Sequence, residues 1–189
     1  MRTQQSVDDR IAETTLQLLR SGGPVSVTVE AVAAASRVAK TTIYRRYHDR
    51  REMLAAALER LAATPPPDTD SDAPARLKWL ITNAIAMVHD GIGLGGLAAL
   101  LTRDDPDFTT SFQEILRRQR AVLASAIEHG KADGSWRADI DGATLIDAVV
   151  GAYIAEHARR EAIAPGLPDR LFALFWPAVA PTAEPSGLQ

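Results

Sequence analysis

Apolar residues recur every three or four positions along most of this chain, the spacing that places them on one face of an α-helix. In the first segment Val7, Ile11 and Leu19 keep this spacing, and Ser6 can cap the helix start. The pattern predicts an all-α protein of about nine helices. The predicted helices cover Ser6–Arg20, Val29–Ala35, Ala39 or Lys40 to Tyr47, Arg50–Ala63, Ala75–His89, Leu97–Leu101, Asp107–Gly130, Ile140 or Asp141 to Arg160, and a last helix from Leu167.

Two short helices joined by a tight turn are predicted between Thr28 and Tyr47. Thr28 is a good N-cap for the first of them, and Ser36 to Val38 form the turn. Ile43 and Tyr47 lie four residues apart and share the inward face of the second helix, whereas cationic and hydroxyl side chains occupy its other side. This layout is typical of a helix-turn-helix, in which one helix braces and the other enters a DNA groove.

The composition changes sharply after this N-terminal part. Residues 64–74 are rich in proline and aspartate and offer nothing to bury, which predicts a semi-rigid linker. We therefore predict an N-terminal head at 1–63, a helical ligand-binding and dimerisation body at 75–180, and a disordered tail at 181–189.

Charge is distributed unevenly between these parts. Residues 1–63 carry a net charge of +3 and residues 64–189 a net charge of −6, and six cations lie between Arg37 and Arg51 against Asp49 alone. A basic unit on an acidic body indicates that one end meets a polyanion, although a solvated charged face is the plain alternative.

Other classes of protein find little support. The chain has no cysteine, its polar N-terminus lacks a signal peptide, and no apolar run reaches the roughly 20 residues of a membrane span. We expect a cytoplasmic protein without membrane contact, without a metal or other cofactor, and without enzymatic activity, because no catalytic or metal-ligating constellation is legible. The glycines of 91–96 predict a helix break rather than a phosphate loop, since no strand precedes them.

The last two helices carry more apolar surface than a monomer needs. Small residues line one face of the helix that ends at Arg160, and the final helix is apolar almost all round. We infer a homodimer through these helices. The predicted interface residues are Ala148, Gly151, Ala152, Ala155, Phe172, Phe175 and Trp176.

Four segments in sequence carry a family resemblance: IAETTLQLLRSGG, TVEAVA, VAKTTIYRRY and DRREML. In order and spacing they resemble the tetracycline-repressor (TetR) family of bacterial transcription regulators, over the first 63 residues. The all-helical remainder is loosely similar to the dimerising, ligand-binding halves of that family.

The resemblance implies which residues meet the DNA. It places DNA contacts at Thr28, at the start of the second helix, along that helix, and at Arg50 on a phosphate. Two positions depart from the family pattern, because Arg37 replaces the turn glycine and Ala39 replaces the usual capping serine; Arg37 is a further candidate phosphate contact. The predicted DNA-binding residues are Thr28, Arg37, Lys40, Thr41, Thr42, Tyr44, Arg45, Arg46, Tyr47 and Arg50.

The resemblance also implies a body that binds a small molecule and changes the spacing of two heads on a palindromic operator. An apolar or aromatic ligand is our expectation. The predicted pocket residues are Trp79, Met87, His89, Phe108, Phe112, Tyr153 and His157, each of which also suits an ordinary core position. The favoured prediction is a ligand-responsive homodimeric repressor; a helical protein with a degenerate head that acts through protein partners is the alternative.

Overall fold

The computed structural model describes residues 6–62, 71–160 and 165–181. Within these ranges the chain forms nine α-helices and no β-strand, which confirms the all-α prediction. The helices are α1 Val7–Gly22, α2 Val29–Ser36, α3 Lys40–Tyr44, α4 Arg50–Glu59, α5 Ala73–Ala86, α6 Gly93–Thr102, α7 Pro106–Ala132, α8 Gly142–Arg160 and α9 Leu167–Val179, with 3₁₀ turns at Pro24–Ser26 and Arg60–Ala62 and a π-helical turn at Met87–Ile92.

Capping side chains fix several of these boundaries. Ser6 accepts a hydrogen bond from the Asp9 amide at 3.0 Å and donates its own amide to Asp9 Oδ2 at 3.2 Å, so the predicted cap of α1 forms a full capping box. Helix α5 begins at Ala73 rather than at the predicted Ala75, because Asp72 accepts from the Ala75 amide at 2.8 Å and Pro74 suits the first turn of a helix.

One predicted helix end is wrong. Helix α3 ends at Tyr44 instead of Tyr47, because the Arg46 and Tyr47 amides both donate to the Ile43 carbonyl and close a tight turn. The glycine-rich stretch interrupts the helix as predicted: after the π-helical turn Met87–Ile92 the backbone leaves helical geometry at Gly93, with φ 62° and ψ −171°, where α6 begins.

The structure divides into two compact units. The first combines residues 1–64 with 86–119, and the second combines 65–85 with 120–189. The predicted linker 64–74 and tail 181–189 lie largely outside the described residues, so the domain boundaries remain predictions.

The first unit is built on the buried faces of its helices. Ile11, Leu19, Ile43 and Leu58 are completely buried, and they bring α1, α3 and α4 together around one core. Phe108 on α7 is buried in the same core and stacks on Phe112, with ring centroids 5.7 Å apart. The short α3 is therefore held by tertiary packing rather than by its own helical stability.

Glycines allow α6 to approach α1 very closely. A Cβ placed on Gly95 would lie 2.5 Å from the Gly23 nitrogen and 2.7 Å from the Leu19 carbonyl oxygen, closer than any side chain tolerates. Gly93 has φ +62°, a left-handed conformation that favours glycine, and its Cβ would meet Arg20 at 2.8 Å. The glycines predicted to break a helix also serve as a packing surface.

Buried ion pairs fix the helices of the second unit. Arg76 on α5 is buried and donates to Asp133 at 2.8 Å and to Ser135 at 2.5 Å. Glu156 on α8 is buried and accepts from Arg170 on α9 at 2.6 Å. Such pairs specify geometry because breaking either one leaves a buried charge without its partner.

One helical run is longer and more apolar than the sequence analysis predicted, since no run was expected to reach the length of a membrane span. Ala73–Thr102 is helical over 30 residues, long and apolar enough to cross a membrane by length and composition alone. The buried core helix of a soluble protein has the same properties, and 44% of the most apolar window is buried inside the protein. The absence of membrane contact stays a prediction.

Candidate nucleic-acid interface

Helices α2 and α3 form the predicted helix-turn-helix. Thr28 caps α2 by accepting from the Ala31 amide at 3.0 Å. Val38 in the turn is buried, and Ile43 on α3 is completely buried in the core of the first unit. The turn and the inward face of α3 are thus fixed, which leaves the opposite face of α3 to solvent.

The turn keeps its geometry despite its two unusual residues. Arg37 adopts the left-handed conformation, with φ 56° and ψ 33°, at a cost of about 1 kcal/mol relative to glycine. Ala39 precedes α3 in an extended conformation and makes no side-chain capping bond. The exposed Arg37 side chain therefore stands beside the start of α3.

The exposed face of α3 and of the turn after it combines hydroxyl, aromatic and cationic groups. Lys40, Thr41, Arg45 and Arg46 are exposed, and Tyr44 is 52% exposed. Thr42 and Tyr47 are half-buried. Burial raises the pKa of Tyr47 above its usual 10.0, and the charge of Asp8 raises it further, so this phenol stays protonated and can donate a hydrogen bond.

Carboxylates of neighbouring helices neutralise two of these cations. Lys40 donates to Glu30 on α2 at 3.0 Å, and Arg46 donates to Asp8 on α1 at 2.5 Å. The hydrogen bond from Lys40 lowers the pKa of Glu30, so that carboxylate stays ionised. Arg37 and Arg45 have no carboxylate partner among the residues that the structure describes.

Arg50 differs from the other predicted contacts because its guanidinium points into the protein. Its Nε donates to the Val27 carbonyl at 2.6 Å, and its Nη2 donates to the Pro24 carbonyl at 2.5 Å and to Asp105 Oδ2 at 2.7 Å. The Arg50 side chain is only 30% exposed.

The predicted pocket residues are divided between the two units. Phe108 and Phe112 are core residues of the first unit, where Met87 is half-buried and His89 is exposed. In the second unit Tyr153 is buried and stacks on His157, with centroids 6.3 Å apart, and Trp79 is half-buried. A cavity of about 240 Å³ beside α7 and α8 is lined by other residues, including Arg120, Lys131 and Ile146.

The predicted dimer residues form an incompletely covered surface on α8 and α9. Gly151 and Ala155 are exposed, and a Cβ on Gly151 would meet nothing within 4 Å. Phe172 and Trp176 stack on each other at 5.8 Å and remain half-buried, as do Phe175, Ala148 and Ala152, and the neighbouring Leu174 is 66% exposed.

The sequence pattern did not predict the acidic partners of three predicted DNA-binding cations, Lys40, Arg46 and Arg50. Asp8, Glu30 and Asp105 lie 38, 10 and 55 residues from the cations that they bind. Nothing in the local pattern signals these pairs. Among the described residues, no group of three or more His, Cys, Asp or Glu side chains could hold a metal ion.

Residues 11–57 match the family model of bacterial regulatory proteins of the tetR family. This match covers α1 through most of α4, including the whole helix-turn-helix. The N-terminal part of the chain is therefore similar to the tetR family. This match supports a DNA-binding role for the helix-turn-helix.

Solved structures share the fold over nearly the whole chain. Reduced NemR of E. coli is 12% identical, with a TM-score of 0.73 over 94% of this chain and 100% of that one. A protein from Saccharomonospora viridis, assigned as a transcriptional regulator and solved in complex with choline, is 18% identical, with a TM-score of 0.69 over 92% and 97%. A TetR transcriptional regulator from Agrobacterium tumefaciens is 19% identical, with a TM-score of 0.62 over 93% and 95%. No curated protein matches the sequence.

Proposed function

We propose that this protein is a cytoplasmic, non-enzymatic, homodimeric repressor that binds a palindromic operator and leaves it when a small apolar or aromatic molecule binds. The observation that carries the proposal is the solvent-facing side of α3, where Thr41, Tyr44 and Arg45 stand exposed while Ile43 anchors the helix in the core. A rigid helix that presents hydroxyl and guanidinium groups is suited to the major groove.

Each side chain has a role that fits its chemistry. Thr28, Tyr44, Arg37 and Lys40 are assigned to phosphates, because hydroxyl and cationic donors at helix starts bind the DNA backbone. We assign the bases to four side chains of α3 and the turn after it, since arginine suits guanine and the threonine methyl suits thymine. These are Thr41, Thr42, Arg45 and Arg46.

The dimer is proposed through α8 and α9. Gly151 and Ala155 leave room for a close helix on the exposed face of α8, and Leu174 offers apolar surface on α9. Two copies would present two α3 helices, and a two-fold symmetric protein matches an operator whose half-sites are palindromic.

The ligand proposal rests on the aromatic residues of the body and on the fold. Tyr153, His157 and Trp79 supply aromatic surface in the second unit. A protein of the same fold was solved with choline, a small organic cation that aromatic rings attract. We therefore include choline beside apolar and aromatic compounds as a test ligand.

Selection of bound duplexes from a random pool tests the proposal. We expect enrichment of a palindrome, binding that weakens steeply with salt, and release by one of the test compounds. Failure to enrich any sequence, together with capture of a protein partner, would support the degenerate head instead. If a palindrome is enriched but none of the compounds releases the protein from it, operator binding is supported and the proposed ligand response is rejected.

A further inference from the structure

Arg50 has the environment of a structural group. It is the first residue of α4, where a positive charge is unfavourable for the helix dipole and Asp49 already provides the cap by accepting from the Glu52 amide at 2.8 Å. An arginine at this position therefore serves something other than its own helix.

The acceptors of Arg50 belong to two other parts of the first unit. The carbonyls of Pro24 and Val27 lie in the turn that leads directly to Thr28, the cap of α2. Asp105 is held at the other end, because its Oδ1 accepts from the Phe108 amide at 2.9 Å at the start of α7. The side chain of Asp105 is only 14% exposed, so the pair with Arg50 lies in a partly desolvated setting.

Only arginine can make this set of contacts. Its planar guanidinium donates in several fixed directions at once, whereas a lysine is a point charge without that geometry. With Nε and Nη2 used on three acceptors, Arg50 connects the start of α4, the turn before α2 and the start of α7.

We propose that Arg50 is a positioning residue for DNA binding: with Asp105 it fixes the turn 24–27, and hence α2 and α3, against residues 86–119. It does not act by neutralising a phosphate, the role implied by the family resemblance. This inference rests on the proposed operator binding, and it identifies Arg50 and Asp105 as the pair that sets the geometry of α2 and α3.

Asp105→Asn separates the two roles because it leaves every cation of the surface in place. If Arg50 positions the turn, Asp105→Asn weakens operator binding about tenfold, as expected for loss of a charged hydrogen-bond partner. The dependence of log affinity on log salt then keeps the wild-type slope. If Arg50 is a phosphate contact, affinity stays unchanged or rises, and that result overturns the proposal.

Arginine variants give the complementary test. We expect Arg50→Lys to bind as weakly as Arg50→Gln under the positioning role, whereas a phosphate contact would be largely rescued by lysine. Lys40→Gln calibrates the assay, since loss of a real phosphate contact lowers the salt slope by about one. A similar loss of slope in Arg50→Gln would contradict the proposal.

A measurement without DNA distinguishes failure of this inference from failure of the proposed function. We expect amide hydrogen exchange at Val27, Thr28 and Val32 to be faster in folded Asp105→Asn than in the wild type, and unchanged in Lys40→Gln. Unchanged exchange in Asp105→Asn would refute the positioning role whatever the DNA experiments give. If exchange is faster in Asp105→Asn but the wild-type protein binds no duplex, the role of Arg50 in positioning the turn is supported and the proposed DNA-binding function is rejected.

Discussion

At the scale of single residues, the charge of the reading surface, meaning the exposed face of α3 with the turns on either side of it, depends as much on neighbouring carboxylates as on its own cations. Lys40 and Arg46 are paired within the chain, whereas Arg37 and Arg45 lack a carboxylate partner in the described residues. An exposed pair such as Lys40 with Glu30 contributes little to stability. Its larger effect is to lower the positive charge that the surface presents to a polyanion.

Arg45 is the exposed guanidinium most suited to a base edge. We expect Arg45→Ala to keep the fold, because the side chain is exposed, and to weaken operator binding about tenfold or more through loss of a bidentate base contact. Gel-shift titration with the selected operator measures the effect, and circular dichroism checks the fold. Tyr44→Ala should weaken binding as well, but equally on all sequences, if it contacts a phosphate.

Glu30→Gln should strengthen DNA binding. This carboxylate opposes the attraction of Lys40 to phosphate, so its removal should give about threefold tighter binding to a random-sequence duplex, with an unchanged salt slope because the number of phosphate contacts stays the same. Glu13→Gln is the matched control, because Glu13 is 60% exposed, as Glu30 is 61% exposed, and pairs with Arg20 away from α2 and α3. Equal gains in both variants would show that general charge, and not the Lys40 pair, sets the affinity.

Asp105 should make stability depend on pH in acid. Its burial would raise the pKa, but hydrogen bonds from the Phe108 amide and from Arg50 leave that pKa below the usual 3.8. Because the folded pKa is lower than the unfolded one, the stabilisation is present above about pH 4 and is lost as the pH falls through the folded value. Urea midpoints should therefore differ between wild type and Asp105→Asn at pH 6, and the difference should shrink as the pH falls below the usual 3.8; a constant difference would contradict this.

At the scale of elements, α6 lies very close to α1 and to the residue that follows it, Gly23. Gly95 has no room for a methyl group, because the atoms around its would-be Cβ belong to the backbone. Gly91, four residues earlier in the same stretch, has ordinary space, with its nearest neighbour at 3.6 Å. The glycines of this stretch therefore have different roles.

Gly95→Ala should destabilise the protein by about 1–3 kcal/mol, the usual cost of overpacking, whereas Gly91→Ala should be tolerated. Chemical unfolding of both variants measures the difference. Similar stabilities would mean that α6 can move away from α1 without cost.

Elements were predicted from sequence where their causes are local. The caps Ser6 and Thr28 each depend on a few neighbouring residues, so the pattern located them. The end of α3 at Tyr44 and the π-helical turn depend on packing, and the ion pairs depend on helices that meet far apart in sequence. The inward role of Arg50 was missed for that reason.

At the scale of the whole molecule, the apolar surface of α8 and α9 bears on assembly. Leu174→Gln should weaken the proposed dimer at least about tenfold, because the apolar burial of one leucine contributes roughly 1.5–3 kcal/mol and the change enters twice in a symmetric interface. Sedimentation across a range of concentrations measures the equilibrium. Leu101→Gln on α6 is the control, since Leu101 is 72% exposed and lies outside the predicted interface.

The left-handed Arg37 has an evolutionary consequence. Glycine at this position would relieve the backbone strain and would also remove a cation from the reading surface. A single position therefore affects both the stability of the protein and its affinity for DNA, in opposite directions. The CGN codons of arginine and the GGN codons of glycine differ by one base. A lineage that moved to warmer or less saline surroundings could reset both properties with a single mutation.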